Sequence, residues 1–131
     1  MKKFIILSFA FLISIPVFAS EWVQVGDKAY VDKESISQFN KYGNEHISFW
    51  IKSLNDKSKL FVDFEKIFKT KVWYDKSLWE INCTQKKIII RDEIVYDLNQ
   101  NVIYSFDDMS SNWHKIVPDT VGDYYYNTFC K

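Results

Sequence analysis

The chain holds only two cysteines, Cys83 in "SLWEINC" and Cys130 in "NTFCK", the latter one residue from the end. Their redox state constrains the fold more than any other feature, and the first stretch of the chain decides it. Met1-Lys2-Lys3 precede the apolar run "FIILSFAFLISIPVF" at 4–18, and Val17 and Ala19 supply small residues before the next position. A positive start, an apolar segment and a small-residue cleavage point predict a secretory signal peptide over residues 1–19, cut after Ala19. The run is shorter than the ~20 residues that a bilayer core requires, which argues against an uncleaved anchor. Ser20 stands where a lipid-anchored protein would carry an acylated cysteine. The expected address is therefore the periplasm or the extracellular space, with no transmembrane segment in the mature chain.

Export places both thiols where disulfides persist, and two cysteines allow one pairing. Closing a loop of about 48 residues in this way is worth ~4 kcal/mol in chain entropy, a large share of the stability of a small domain. A redox motif would place the cysteines two residues apart. A structural zinc site needs four ligands, and the two histidines, His46 and His114, lie in unrelated segments. We therefore expect a Cys83–Cys130 disulfide, no metal and no cofactor.

Residues 20–131 suffice for a single domain with one core. Losing Lys2 and Lys3 leaves 15 basic against 17 acidic residues. That balance does not favour nucleic acid, whose binding rests on an excess of phosphate-neutralising side chains.

The segment "WHKIVPDTVGDYYYNTFCK" explains the second cysteine's position. Pro118 ends what precedes it, and Thr120 with Asp123 three residues on resembles a capping box for a helix of about ten residues. Gly122 and the short length make such a helix marginal alone. In helical projection Val121, Tyr125 and Phe129 share a face, with Tyr126 and Cys130 at its edge, so bridge and apolar contacts point the same way.

Elsewhere the pattern is β. "EWVQVGDKAYVD" reads as two short strands about Gly26-Asp27, a pair suited to a type II′ turn. "EHISFWIKSL" alternates Ile47, Phe49 and Ile51 against Ser48, Trp50 and Lys52. Between them "KESISQF" suits a single helical turn and "NKYGNE" a tight turn. "SLWEINC" puts Trp79, Ile81 and Cys83 on one face. "KKIIIRDEIVYD" and "NVIYSF" flank a hairpin loop, "LNQN". Residues 58–75 are ambiguous, since Phe61, Phe64 and Phe68 fit a helix while their surroundings tolerate a strand or loop. The expected fold is α+β: an antiparallel meander of about five to six strands with a C-terminal helix packed on one face and tethered by the disulfide.

Catalytic motifs are missing. Three glycines exclude a glycine-rich phosphate cradle, and neither G-x-S-x-G nor H-E-x-x-H occurs. His46 and His114 read as histidines without a chemical role. Asp92 and Glu93 are adjacent on a strand and so point to opposite faces. Asp107-Asp108 reads as a solvated acidic turn. Lys86, Lys87 and Arg91 read as protection of a sheet edge. The remaining candidate is "YYY": Tyr124, Tyr125 and Tyr126 point about 100° apart on a helix, so they cannot all face the sheet, and exposed tyrosine suits a protein partner. The chain is thus expected not to be an enzyme; the less favoured alternative is a small-ligand carrier or enzyme whose cleft would use His46, His114 or Asp107.

Trp22 after the signal, "YVDKESI" at 30–36, "ISFW" at 47–50, Cys83 on a mid-chain strand, Tyr96-Asp97 at a hairpin, "WHKIVPDT" and the terminal "TFC" together resemble the surface-adhesin protein E family along essentially the whole mature chain. The resemblance implies the sheet, the fastened helix and a place among small bacterial envelope proteins, some of which bind host extracellular-matrix or serum proteins. Ser20 departs from the lipid-anchored members, which directs attention to the periplasm and to another envelope protein as partner. "LNQN" replaces a glycine common in the family's hairpin, and Asn99 or Asn101 is expected to take the left-handed conformation there.

Overall fold

A computed structural model describes residues 20–107 and 112–130. The leader at 1–19, and Asp108 of the acidic turn, lie outside the described residues. Eight strands and two helices follow in the order β1 (Trp22–Gln24), β2 (Ala29–Asp32), β3 (Ser37–Lys41), β4 (Asn44–Leu54), α1 (Lys59–Phe68), β5 (Val72–Asn82), β6 (Lys87–Asp97), β7 (Val102–Phe106), β8 (His114–Lys115) and α2 (Val121–Phe129). All strand pairs are antiparallel.

Eight strands replace the five to six expected because two sheet positions are broken. β2 and β3 both pair with β4, β2 against Ile51–Ser53 and β3 against Asn44–Ser48. β7 and β8 likewise share the far side of β6. The sheet is therefore six positions wide, and the meander stands. The first break is a 3-10 turn at Lys33–Ser35, shorter than the helical turn expected over "KESISQF", whose second half instead becomes β3. Asp32 caps the turn by accepting from the Glu34 N–H at 3.1 Å. Ser35 Oγ accepts from the Trp50 N–H at 2.9 Å, so a β4 donor facing the break keeps a partner.

The turns follow backbone chemistry. Lys41 pairs with Asn44, leaving a two-residue loop in which Tyr42 and Gly43 have φ of 51° and 78°, the two positive values a type I′ hairpin requires. β1 and β2 do form a hairpin, but Gly26 does not take the positive φ of a type II′ turn; the Val25 and Gly26 N–H groups both reach the Ala29 carbonyl. In "LNQN" the left-handed residue is Gln100, not Asn99 or Asn101, because both asparagine N–H groups donate to Asp97 Oδ1 at 2.8 and 2.9 Å.

The ambiguity at 58–75 resolves into α1 followed by the start of β5. Phe61 is buried against Val72 and Val95, with Phe64 and Ile103 packed beside it. Glu65 Oε1 accepts from the Val72 N–H and from Asn55 Nδ2, both at 3.2 Å, which fixes the helix to the strand it leads into.

Both helices cover one face of the sheet. Phe49 meets Tyr125 and Phe129 of α2 at centroid distances of 5.4 and 4.6 Å. Ser53, four residues on, pairs with Asp75, and Asp75 pairs with Val95 beneath α1, so all share that side. The main core comprises Val31, Ile47, Phe49, Ile51, Ile81, Ile116 and Tyr125, with Trp79, Cys83 and Cys130 packed against it. Thr120 caps α2 by accepting from the Asp123 N–H at 3.3 Å, and Asp123 Oδ2 accepts from the Asp119 N–H at 3.0 Å. The Cys83–Cys130 disulfide, with Cα atoms 5.5 Å apart, closes the far end of the helix.

Asp75 is buried on this helix-covered face, and among the described residues its Oδ1 has no hydrogen-bond partner. Burial, then the neighbouring Glu93 carboxyl, pushes the Asp75 carboxyl up to about 8. Its proton stays on in the fold at pH values where the unfolded chain has released it.

Two outcomes are expected. Replacing both cysteines by serine lowers unfolding free energy by ~4 kcal/mol, measured by urea titration of the oxidised parent against the variant. For Asp75, the folded value lies above the unfolded one, so its contribution is full below the ordinary 3.8 and is lost as pH rises to about 8. The melting temperature of the parent should fall across that window, and Asp75→Asn should flatten the fall; an unchanged profile in the variant would refute the assignment.

Candidate functional site

The face opposite the helices carries the side chains that alternate with the core. On β4 these are His46, Ser48, Trp50 and Lys52; on β5, Tyr74, Lys76, Leu78, Glu80 and Asn82, by direct pairing. Tyr30 of β2 pairs with Lys52, and Ile94 and Tyr96 of β6 pair with Lys76 and Tyr74. Trp22, opposite Asp32, joins the same side.

One end of this face is a set of rings around two ammonium groups. Lys52 and Lys76 are direct cross-strand partners. Lys52 Nζ lies 4.8 Å from the Trp22 ring centroid, 5.6 Å from Tyr30 and 5.8 Å from Tyr74. Lys76 Nζ lies 5.5 Å from Trp22, 6.0 Å from Tyr74 and 5.2 Å from Tyr96. Aromatic faces attract both cations through the ring quadrupole. Partial burial, then the charge of Lys76, lowers the Lys52 pKa from its ordinary value. Among the described residues no carboxylate forms an ion pair with either lysine. A shallow hollow of about 220 Å³ opens beside them, lined by Trp22, Asp32, Trp50, Lys76 and Tyr96 among others.

The other end is a closed polar knot. Glu80 Oε2 accepts from His46 Nδ1 at 3.1 Å and from Arg91 Nη2 at 3.3 Å. Phe39 stacks on the imidazole at 5.4 Å, Trp113 meets it edge-on at 5.5 Å, and the Arg91 guanidinium lies 5.5 Å from the Trp113 ring. His46 is thus a buried strand histidine, partnered by Glu80, whose role is structural. It also lines an open hollow of about 260 Å³ with Asn82, Lys87 and Trp113. His114 and Asp107 are exposed and lie on other segments, outside the lining of that hollow. Arg91 and its neighbours do not protect an edge: β6 lies inside the sheet, Arg91 is paired to Glu80, and Lys86 reaches Asp123 at 3.8 Å and the Tyr126 ring at 5.0 Å. Asp92 and Glu93 do fall on opposite faces, the first opposite Leu78 and the second opposite Ser77. Among the described residues no group of three His, Cys, Asp or Glu is placed to hold a metal ion.

The three tyrosines of α2 divide. Tyr125 is 2% exposed, packed between Phe49, Trp79 and Phe129. Burial pushes its hydroxyl up to about 12. Tyr124 is 49% exposed and Tyr126 half-buried, so these two are what α2 can offer a partner. Sequence reasoning missed the Lys52–Lys76 pair. The alternation of "SFWIKSL" shows that Lys52 opposes the core, but only the strand register brings Lys76 beside it.

Residues 22–131 match the family model described as surface-adhesin protein E. No curated protein matches the chain. Among the described residues no helix is long and apolar enough to cross a membrane.

Tyr125→Ala is expected to cost ~3–5 kcal/mol of unfolding free energy through the cavity it leaves beneath α2, whereas Tyr124→Ala should stay within ~0.5 kcal/mol of the parent. Urea titrations of the two single variants decide it; equal losses would contradict the packing described.

Proposed function

We propose that this chain, which belongs to the surface-adhesin protein E family, is exported by its leader and acts as a non-enzymatic domain that binds another macromolecule through the helix-free face of its sheet. The observation that carries the reading is the composition of that face. Both helices, the disulfide and the main apolar core lie on the other side, and the free side presents the half-buried Trp22, Tyr30, Trp50 and Tyr96 about two ammonium groups, with Tyr74 buried beneath them. Tryptophan and tyrosine are enriched where proteins meet. The family is one of adhesins rather than a known family of enzymes, and the partner this supports is a host extracellular-matrix or serum protein. The histidine that sequence reasoning could have enlisted for chemistry is committed to Glu80.

Ser20 favours a second reading. Without a cysteine to acylate at that position, the domain works in the periplasm as an accessory or inhibitor of another envelope protein. Protease treatment of intact cells separates the two. Digestion supports the adhesin, and protection until the outer layer is breached supports the accessory role. Immobilised oxidised protein should retain at least one member of a panel of purified matrix, serum and envelope proteins, and Trp22→Ala should weaken the retention. Retention of none would overturn the binding reading.

A further inference from the structure

At the ring-lined end of the free sheet face, Lys52 and Lys76 stand directly opposite on adjacent strands. Like charges so placed destabilise a sheet. Among the described residues no carboxylate reaches either ammonium to relieve this. Asp32, the acid lining the hollow beside Lys76, accepts from the Glu34 N–H through Oδ1 and is not within ion-pair distance of either ammonium. The rings hold the ammonium groups in place but supply no compensating negative charge. The cation–π contacts offset part of this repulsion, and an anionic ligand bridging both ammonium groups would offset the rest.

The rings also bear on the ligand's class. Trp22 lies under both ammonium groups, and Tyr74 and Tyr96 stack on each other at 4.6 Å with 24° between planes. These contacts already engage the flat faces on which a sugar ring would stack. With those faces engaged, what the cluster offers a ligand is chiefly charge beside half-buried rings, which suits an extended polypeptide. The hollow of about 220 Å³ is below the ~300 Å³ of ordinary small-molecule pockets and suits a side chain.

Building on the macromolecule-binding reading above, we propose that Lys52 and Lys76 form the receptor for an acidic segment of the protein partner. Side-chain carboxylates of that segment bridge the two ammonium groups, and its neighbouring residues lie against Trp22 and Tyr96. The mature chain carries two more acidic than basic residues, so indiscriminate attraction to polyanions is not expected and binding must come from this local pair.

The test titrates the oxidised chain, residues 20–131, with octaglutamate, following tryptophan fluorescence and heat. Octaglutamine, a sulfated polysaccharide and a uronic-acid polysaccharide serve as comparisons. Octaglutamate should bind and octaglutamine should not. The affinity should fall steeply as salt is raised. The double variant Lys52→Gln, Lys76→Gln should lose on the order of tenfold in affinity, while Lys59→Gln, Lys66→Gln on α1 changes it less than twofold. Near-UV circular dichroism monitors the fold of each variant, and the salt dependence is read on the parent, so the outcome does not depend on the variant folding. Salt-independent binding, binding unchanged in the double variant, or binding of a polysaccharide without octaglutamate would each overturn the proposal. Failure with octaglutamate alongside retained capture of a matrix, serum or envelope protein would overturn the lysine assignment alone, leaving the broader reading in place.

Discussion

The bond between Cys83 and Cys130 holds a nine-residue helix onto the sheet, and the arrangement of the rest follows from where it does so. A helix of that length containing Gly122 cannot persist by its own hydrogen bonds. Its N-terminal end is held by the Thr120 cap and its middle by Tyr125 and Phe129 against Phe49. Its last turn is held covalently to the residue that follows β5. With that face covered, Ile47, Phe49, Ile51 and Ile81 become a core of almost no exposure. The opposite face of the same three long strands is left without a helix.

The two faces then obey different physics. On the covered side burial is severe enough that Asp75, with Glu93 beside it, holds its proton to about 8. On the free side polar groups and charges sit among rings instead. At one end a carboxylate is shared by His46 and Arg91 under Trp113, a knot whose groups satisfy each other. At the other, Lys52 and Lys76 are held against aromatic faces, with no ion pair to a carboxylate among the described residues. The satisfied cluster reads as structure and the unsatisfied one as a place for a partner.

Much of the fold is legible in the sequence. Alternation identified β4 and its core face, the β-branched runs identified β6 and β7, and the Thr120–Asp123 spacing located the start of α2. Residues 58–75 were not legible, because three phenylalanines at helical spacing stand among residues that tolerate a strand or loop, until Val72 and Val95 provide the surface on which Phe61 packs. The split of "KESISQF" into a 3-10 turn and β3 was hidden for a similar reason: β3 exists because the Tyr42-Gly43 turn folds it back on β4. Gly26 and the asparagines of "LNQN" show the limit of turn rules, since Asp97 and Ala29 as hydrogen-bond partners chose the backbone there.

By itself the sequence determined the disulfide, the capped terminal helix and which residues of β4 and β5 share a face. These depend on residue counts, on short-range spacing and on the two-residue period of a strand, all of which are local. Only the tertiary structure decided that Lys52 meets Lys76, that Glu80 joins His46 to Arg91, and that Val121, on the same helical face as Tyr125, stays 60% exposed. Each of these depends on the register between strands or on the angle at which a helix docks. Such quantities are set by many weak contacts acting together and are written in no single stretch of the chain.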